Sequence, residues 1–128
     1  MIKHMREPIL PLEIMGSLKA EDSGSVVVHM GVVRPTSGGR KVVSMEYSAD
    51  EHKMIEELSE IDREIRRRWG VEDVALCRRT GKLNLGEVIL VAAVSAPHRE
   101  EGFRACEFAV ERMKKMSSIT KRELFEFS

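Results

Sequence analysis

The stretch EVILVAAVSAPHR, residues 87–99, joins a buried strand to a long helix and decides how the chain folds. Its apolar run, residues 88–94, is too short to span a bilayer and is typical of a strand buried on both faces. A helix is expected to begin at Ser95 or Ala96, because Pro97 then falls in the first turn, where proline is tolerated. Apolar residues recur at helical spacing after it, which predicts the face that packs on the sheet: Phe103, Cys106, Val110 and Met113.

The chain before this stretch contains further strand patterns and another long helix. β-Branched and alternating runs predict strands over residues 25–33, 41–47 and 74–79. Between the last two, helical spacing predicts an amphipathic helix, with Ser48 and Glu51 as a capping box at its start. Its apolar residues are Met54, Leu58, Ile61, Ile65 and Trp69.

The order of these elements indicates the fold class. The first residues are expected to be irregular because of Pro8 and Pro11, with at most a short helix near residues 12–18. The remaining order, β-β-α-β-β-α, predicts an α+β domain with two main helices packed on a largely antiparallel sheet. With 128 residues, the chain is expected to form a single domain over residues 1–128.

Composition excludes several classes of function. The 21 basic side chains balance 21 acidic ones, so the net charge gives no support for nucleic-acid binding. No apolar run is long enough for a membrane and residues 1–8 contain no signal core, which predicts a cytoplasmic protein without a membrane partner. Cys77 and Cys106 lack CxxC spacing and are interpreted as buried thiols in a reducing compartment. The four histidines share no metal-ligand spacing, so no metal site is predicted.

Basic residues at two places could bind an anion. His98 and Arg99 stand at the predicted start of the last helix, where free N–H groups favour anions and an arginine adds a fork of donors. A surface pair in an ordinary first turn explains them about equally well, although cations there oppose the helix dipole. Arg34 and Arg40 flank a Pro- and Gly-containing loop that could surround an anion, or that could be an ordinary hairpin loop.

Two lysines follow the last helix pattern. Taken alone, Lys114 is explained by its place near the C-terminal end of the helix, where a positive charge complements the helix dipole. Ser117 and Ser118 are expected to end the helix, so only a folded-back tail would bring Lys121 next to Lys114. Lysines suit phosphate binding, stabilisation of a developing oxyanion or proton transfer, and the residues alone do not select among these roles.

Several segments match one known family in order and spacing along nearly the whole chain. The block Ser95-Ala96-Pro97-His98-Arg99 followed by the lysine-bearing residues 114–123 is the most specific of them. The other segments are Glu7-Pro8-Ile9, Gly31-Val32-Val33-Arg34, Gly39-Arg40, Met45-Glu46-Tyr47, Arg79-Thr80-Gly81-Lys82-Leu83, Gly86-Glu87, and Phe103 with Cys106. Together they resemble the large, catalytic subunits of molybdopterin synthase.

The resemblance implies an α/β hammerhead fold and a central homodimer. Each end of that dimer would bind a ubiquitin-like small subunit whose C-terminal Gly-Gly carries a thiocarboxylate. The implied reaction transfers two sulfurs from the thiocarboxylate to cyclic pyranopterin monophosphate and so makes the dithiolene of molybdopterin. The implied step needs no metal or other cofactor.

The resemblance also implies roles for the basic residues. Lys114 would be the main catalytic lysine, assisting sulfur attack and loss of the leaving group, and Lys121 would position the reactants and stabilise charge. The residues implied to hold the phosphate and pterin are Arg34, His98 and Arg99, with Arg40 as a weaker candidate for the same pocket.

Four positions are singled out as departures from the usual family pattern. Ser118 and Thr120 stand where the family carries Pro and Trp, Arg78 stands where it carries His, and Ser48 stands where it carries Glu. The departures at Ser118 and Thr120 favour an alternative, a divergent non-catalytic paralogue that binds the small subunit or a phosphorylated ligand. The retention of five basic residues together favours the enzyme, because clustered cations are unfavourable without a ligand. These residues are Arg34, His98, Arg99, Lys114 and Lys121. A generic nucleotide- or phosphate-binding domain is a third, weaker alternative.

Overall fold

The computed structural model describes residues 1–126, which form two β-sheets and three helices. The α+β class predicted from the element order is confirmed. The elements in chain order are β1 (Ile2–Met5), α1 (Pro11–Gly16), β2 (Ser25–Val32), β3 (Thr36–Ser37), β4 (Arg40–Ala49), α2 (Glu51–Arg68), β5 (Asp73–Arg79), β6 (Gly81–Asn84), β7 (Val88–Ala96), α3 (Arg99–Lys114) and β8 (Ile119–Phe125).

The first sheet has the strand order β1-β5-β7-β2, with β1 and β5 parallel and the other pairs antiparallel. Helices α2 and α3 cover one face and the short α1 lies against the other. Strands β5 and β7 are therefore buried on both faces. For β7 this confirms the prediction from the apolar run, whereas the pattern over residues 74–79 predicted an alternating strand. The main core residues are Met54, Leu58, Ile65, Leu76, Leu90, Val94, Ala105, Ala109 and Met113.

The second sheet is built around β4, which pairs with β3, β6 and β8. Gly81 makes the corner from β5 in the first sheet to β6 in the second, and its φ of 101° is accessible to glycine without strain. Strand β8 runs antiparallel to β4, with Lys121 opposite Tyr47. The tail that follows α3 is thus folded back onto the second sheet, which is the condition for Lys121 to lie near Lys114. Helix α3 ends at Lys114, before the break expected at Ser117 and Ser118.

The N-terminus and the start of α2 differ from the sequence-based predictions. Residues 2–5 form β1 rather than an irregular segment, because the ammonium group of Met1 donates to the carbonyl of Val74 at 2.6 Å and the chain pairs with β5. Helix α2 is capped by Asp50, whose carboxylate accepts from the backbone N–H of Lys53 at 3.2 Å. Ser48 is not the cap, because β4 continues through Ala49.

Helix α3 also differs from its prediction. It begins at Arg99 after the N-cap residue His98, so Pro97 precedes the helix rather than standing in its first turn. Phe103 was expected on the inner face but is 59% exposed. The helix instead approaches the sheet through small residues, and a Cβ on Gly102 would lie only 3.1 Å from Val27 Cγ2. The inner face consists of Gly102, Ala105, Cys106, Ala109 and Met113.

One carboxylate fixes the turn between α3 and β8. Glu57 on α2 accepts from the backbone N–H of Ser117 at 3.1 Å and from that of Ser118 at 2.9 Å. Partial burial raises the pKa of Glu57, but the hydrogen bonds from Ser118 and Ser117 outweigh it and hold the pKa below its ordinary value. The folded chain therefore stabilises the charged form of Glu57 more than the unfolded chain does.

Replacement of Glu57 should loosen this turn in a pH-dependent way. In Glu57→Gln one of the two N–H groups faces an amide NH₂ instead of an oxygen, which we expect to lower the free energy of unfolding by about 1 kcal/mol at pH 7. Because the pKa of Glu57 is depressed in the fold, its stabilisation is present above the ordinary value of 4.5 and is lost as the pH falls through the folded-state value.

Urea unfolding of the wild type and the variant at pH 7 and at pH 3.5 would measure this difference. The difference in the free energy of unfolding between the wild type and Glu57→Gln should be smaller at pH 3.5 than at pH 7. Glu60→Gln, an exposed carboxylate on the same helix, serves as the matched control. An equal loss in both variants, or a gap that does not change with pH, would contradict the role of Glu57.

Within residues 1–126, no helix has the length and apolar character that a membrane crossing requires.

Candidate functional site

A cleft of about 560 Å³ lies where the two sheets meet, bounded by the C-terminal end of α3 and by β8. Its walls combine apolar side chains with basic ones. The lining residues are His29, Met30, Gly31, Val32, Arg34, Thr36, Ser37, Val42, Met45, Tyr47, Arg78, Ile89, Leu90, Met113, Lys114, Met116, Ile119, Lys121 and Glu123.

Three of the predicted site residues meet in this cleft. Lys114 comes from the last residue of α3, Lys121 from the middle of β8, and Arg34 from the segment after β2. They are far apart in the chain, and the fold-back of β8 onto β4 brings them together. Lys121 Nζ lies 3.2 Å from Glu123 Oε1, whereas no carboxylate within residues 1–126 pairs with Lys114.

The other predicted residues do not line this cleft in one copy of the chain. His98 and Arg99 are exposed at the N-terminal end of α3, and sixteen helical residues separate the two ends by about 22 Å. Arg40 lies in the hairpin outside the lining, with its guanidinium 4.1 Å from the centre of the Phe125 ring. The hairpin is an ordinary two-residue one, with Gly38 and Gly39 at positive φ.

The charges in the cleft are unbalanced. Among the residues of the described chain that line it, four are lysines or arginines and one, Glu123, is acidic. A hydrogen bond from Ser37 and the ammonium group of Lys121 hold the pKa of Glu123 below its ordinary value, so it is ionised at neutral pH. The surplus is positive although the chain as a whole is neutral, which gives the cleft a local positive charge that would favour an anion.

Arg78 lines the cleft but was not predicted as a site residue. It is only 5% exposed and its guanidinium lies 4.5 Å from the centre of the Tyr47 ring. Burial lowers the pKa of Arg78 from its ordinary value, but a guanidinium stays protonated at neutral pH. The sequence feature that could have indicated Arg78 is its position in the predicted strand over residues 74–79, where it directly follows four apolar residues.

His29 is another lining residue that was not predicted as a site residue. It lies on β2 and lines the cleft, and its Nε2 is buried without a hydrogen-bond partner among residues 1–126. Burial, and then the charge of Lys114, lower the pKa of His29 below its ordinary value of 6.5, so the ring is neutral at pH 7. Its signal was a single imidazole in an otherwise apolar strand pattern.

The cysteines contribute no nucleophile to the cleft. Both are free and buried, and burial raises the pKa of Cys77 and of Cys106 to about 11. Thiols with such pKa values are inert at neutral pH. Within residues 1–126, no group of three His, Cys, Asp or Glu side chains is placed to hold a metal ion. The basic groups that line the cleft are the ammonium and guanidinium groups of its lysines and arginines and the imidazole of His29.

Comparisons with known proteins agree with this fold. The family model described as MoaE protein matches residues 4–116. The molybdopterin synthase catalytic subunit of Bacillus subtilis is 34% identical over 121 residues, which cover 94% of this chain and 77% of that protein.

Two solved structures are also similar. The crystal structure of molybdopterin synthase from Staphylococcus aureus superposes with a TM-score of 0.90 at 33% identity, over 98% of this chain and 91% of that one. In a complex of subunits 1 and 2 of molybdopterin-converting factor from Helicobacter pylori, the matching chain has a TM-score of 0.79 at 16% identity, over 98% of this chain and 85% of that one. At that identity the second likeness shows the fold alone.

The predicted fold and family are thus confirmed by sequence and by structure. The family model covers well over half of the chain, and the relative from Bacillus subtilis matches nearly all of it. This chain belongs to the MoaE protein family.

Proposed function

We propose that this chain is the catalytic subunit of a cytoplasmic molybdopterin synthase. It would transfer sulfur from the C-terminal thiocarboxylate of a ubiquitin-like small subunit to cyclic pyranopterin monophosphate. The observation that carries the proposal is the meeting of Lys114, Lys121 and Arg34 in one cleft, in a chain of the MoaE family. The two buried, free cysteines suit a reducing compartment.

The chemistry of each transfer needs positive charge at two points. The thiocarboxylate sulfur forms a bond to a carbon of the pterin side ring while an oxygen group leaves with the bonding electrons. Water then cleaves the new thioester, which leaves the sulfur on the pterin and releases the tail as a carboxylate. Both steps place negative charge on oxygen, in the leaving group and in the tetrahedral intermediate of hydrolysis.

The two lysines are assigned different parts of this chemistry. Lys114, which has no carboxylate partner among residues 1–126, assists the attack of sulfur and stabilises the leaving oxygen. Lys121 is held by Glu123 at 3.2 Å and therefore acts as a fixed charge that positions the reactants. Arg34, exposed at the rim of the cleft, binds the phosphate of the substrate with its planar fork of donors. Arg40 contacts Phe125 outside the lining and is a weaker member of the same set.

A second copy of the chain would complete the site with His98 and Arg99. Strand β2 begins beside the N-terminal end of α3, where the Gly24 N–H donates to Pro97 at 3.2 Å, and it ends at the cleft with Gly31 and Val32. It is an edge strand of the first sheet, and edge strands are open to pairing. Antiparallel pairing with the β2 of a second copy would bring the α3 N-terminus of each copy to the cleft of the other. Three apolar side chains on β2 are exposed in the single chain, which supports the burial of this edge against a second copy: Val26, Met30 and Val32.

The binding-only paralogue is a less well supported alternative. It depends on the loss of the family's Pro and Trp at Ser118 and Thr120. The carboxylate of Glu57 holds the backbone of Ser117 and Ser118 in place, which supplies the order that the proline would give. The turn that presents Lys114 and Lys121 is therefore fixed in this chain by a different interaction.

Reconstitution would test the proposed activity. The protein is mixed under reducing conditions with a thiocarboxylated small subunit and cyclic pyranopterin monophosphate, and dithiolene formation is measured. Wild-type protein should form product, and Lys114→Ala should be slower by about 100-fold or more, because a charge that stabilises both steps is lost.

The adjacent Lys115→Ala is the matched control for this experiment. Lys115 is an exposed lysine at the end of α3 that does not line the cleft, so its removal should leave the rate unchanged. No product from the wild type would reject the synthase activity. Equal rates for the two variants would reject the assignment of Lys114 while leaving the activity in place.

Mixing two inactive variants would test the second copy. Lys114→Ala and Arg99→Ala should each lose most activity alone. After subunit exchange, about a quarter of the clefts should combine an intact Lys114 with an intact Arg99 from the partner, so activity should return. If exchange is confirmed by mass spectrometry of the native dimer and no activity returns, Arg99 does not act across a dimer.

A further inference from the structure

Arg78 is a buried cation that the proposed roles leave unused. Its side chain is on the face of β5 that also carries Val74 and Leu76, where it reaches the cleft beside Leu90 of β7. No carboxylate within residues 1–126 pairs with it, and its Nε is buried without a hydrogen-bond partner. The side chain of Tyr47 offsets part of the effect of burial on the pKa of Arg78, but burial outweighs it. A buried charge in this condition is unfavourable unless a ligand compensates it.

Arg79, the next residue on β5, is a buried arginine that does have a carboxylate partner. Arg79 is also buried, at 8% exposure, but its Nη1 donates to Glu87 Oε2 at 2.7 Å. Arg79 does not line the cleft, whereas Arg78 does. Arg79, which does not face the cleft, is thus paired with a carboxylate, whereas Arg78, which faces the cleft, has no carboxylate partner among residues 1–126.

An aromatic ring and several apolar side chains surround the guanidinium of Arg78. The ring of Tyr47 lies 4.5 Å from the guanidinium carbon, which is a cation–π distance. Tyr47 is opposite Lys121 in the β4–β8 pair, so Arg78 lies next to the strand that carries one of the site lysines. Leu90, Met113 and Met116 provide apolar walls, and charge interactions are stronger in such surroundings than in water.

We propose that Arg78 binds the terminal carboxylate or thiocarboxylate of the small subunit's Gly-Gly tail. This inference rests on the proposed function and adds a specificity-determining residue to the same cleft. A guanidinium with 5% exposure is reachable only by a slender group, and an extended chain that ends in two glycines is slender. The fork of donors matches the two heteroatoms of the terminus. Arg34 is exposed and suits the bulkier phosphate of the pterin.

The experiment compares two forms of the complete small subunit. One ends in the ordinary carboxylate and the other ends in a C-terminal amide, so the body of the protein docks identically and only the charge of the terminus differs. Their dissociation constants are measured by calorimetry for wild type, Arg78→Met and Arg78→Lys. The ratio of amide to carboxylate values isolates the interaction with the terminus, as in a double-mutant cycle.

We expect the wild type to prefer the carboxylate by about tenfold, the size of a charge-assisted hydrogen bond. The preference should fall several-fold in Arg78→Met, which keeps the apolar stem and removes the charge, and the lysines of the cleft account for what remains. Arg78→Lys should recover part of it, because it restores the charge without the fork. A purely structural role would lower the affinity for both forms equally and leave the ratio unchanged, and that result would overturn the proposal.

A third probe separates the tail from the phosphate. Inorganic phosphate is titrated as a competitor of the substrate in the wild type and in Arg78→Met. If Arg78→Met weakens phosphate binding but retains the carboxylate preference, Arg78 serves the substrate phosphate and the tail proposal is wrong. If the wild type binds neither form of the small subunit, the proposed function fails and this proposal fails with it. Equal binding of both forms by the wild type rejects only the role of Arg78.

Discussion

The pairing of β8 with β4 is the interaction on which the rest of the site depends. Helix α3 ends on the first sheet at Lys114, and β8 lies on the second sheet with Lys121 at its middle. Only a tight reversal over four residues connects them, and Glu57 holds two backbone N–H groups of that reversal. The cleft is the space between the two sheets next to this connection. A change that released the turn would separate the lysines without altering either of them.

Charge is distributed unevenly in this chain. Several basic residues outside the cleft have carboxylate partners, as Arg66 does with Asp62 and Asp73, and Arg79 with Glu87. Lining residues within the described chain carry four lysine or arginine charges against one carboxylate. A neutral protein therefore contains a locally positive cleft, which is the field that a tail with a charged terminus and a phosphorylated substrate would both meet.

Local patterns predicted the elements well because their causes are local. The apolar run over residues 88–94 has no polar position to expose, so it could only be a buried strand, and β7 is one. Helix α2 follows its apolar spacing from Met54 to Ile65. The failures have non-local causes. Residues 2–5 contain no strong strand pattern and are recruited by β5, and Phe103 is exposed because Gly102 and Ala105 are small enough to set the rotation of α3.

The sequence by itself determined the residue types of the site, the two long helices and the break that sends the tail back, because each is read from neighbouring residues. It also carried the family resemblance that the comparisons confirm. Only the tertiary structure decided which cations share a cleft. Lys114, Lys121 and Arg34 meet because β8 pairs with β4, and Arg78 joins them because β5 ends at that junction. His98 and Arg99 lie at the other end of a rigid helix of sixteen residues, and the length of that helix excludes them from the cleft of their own copy.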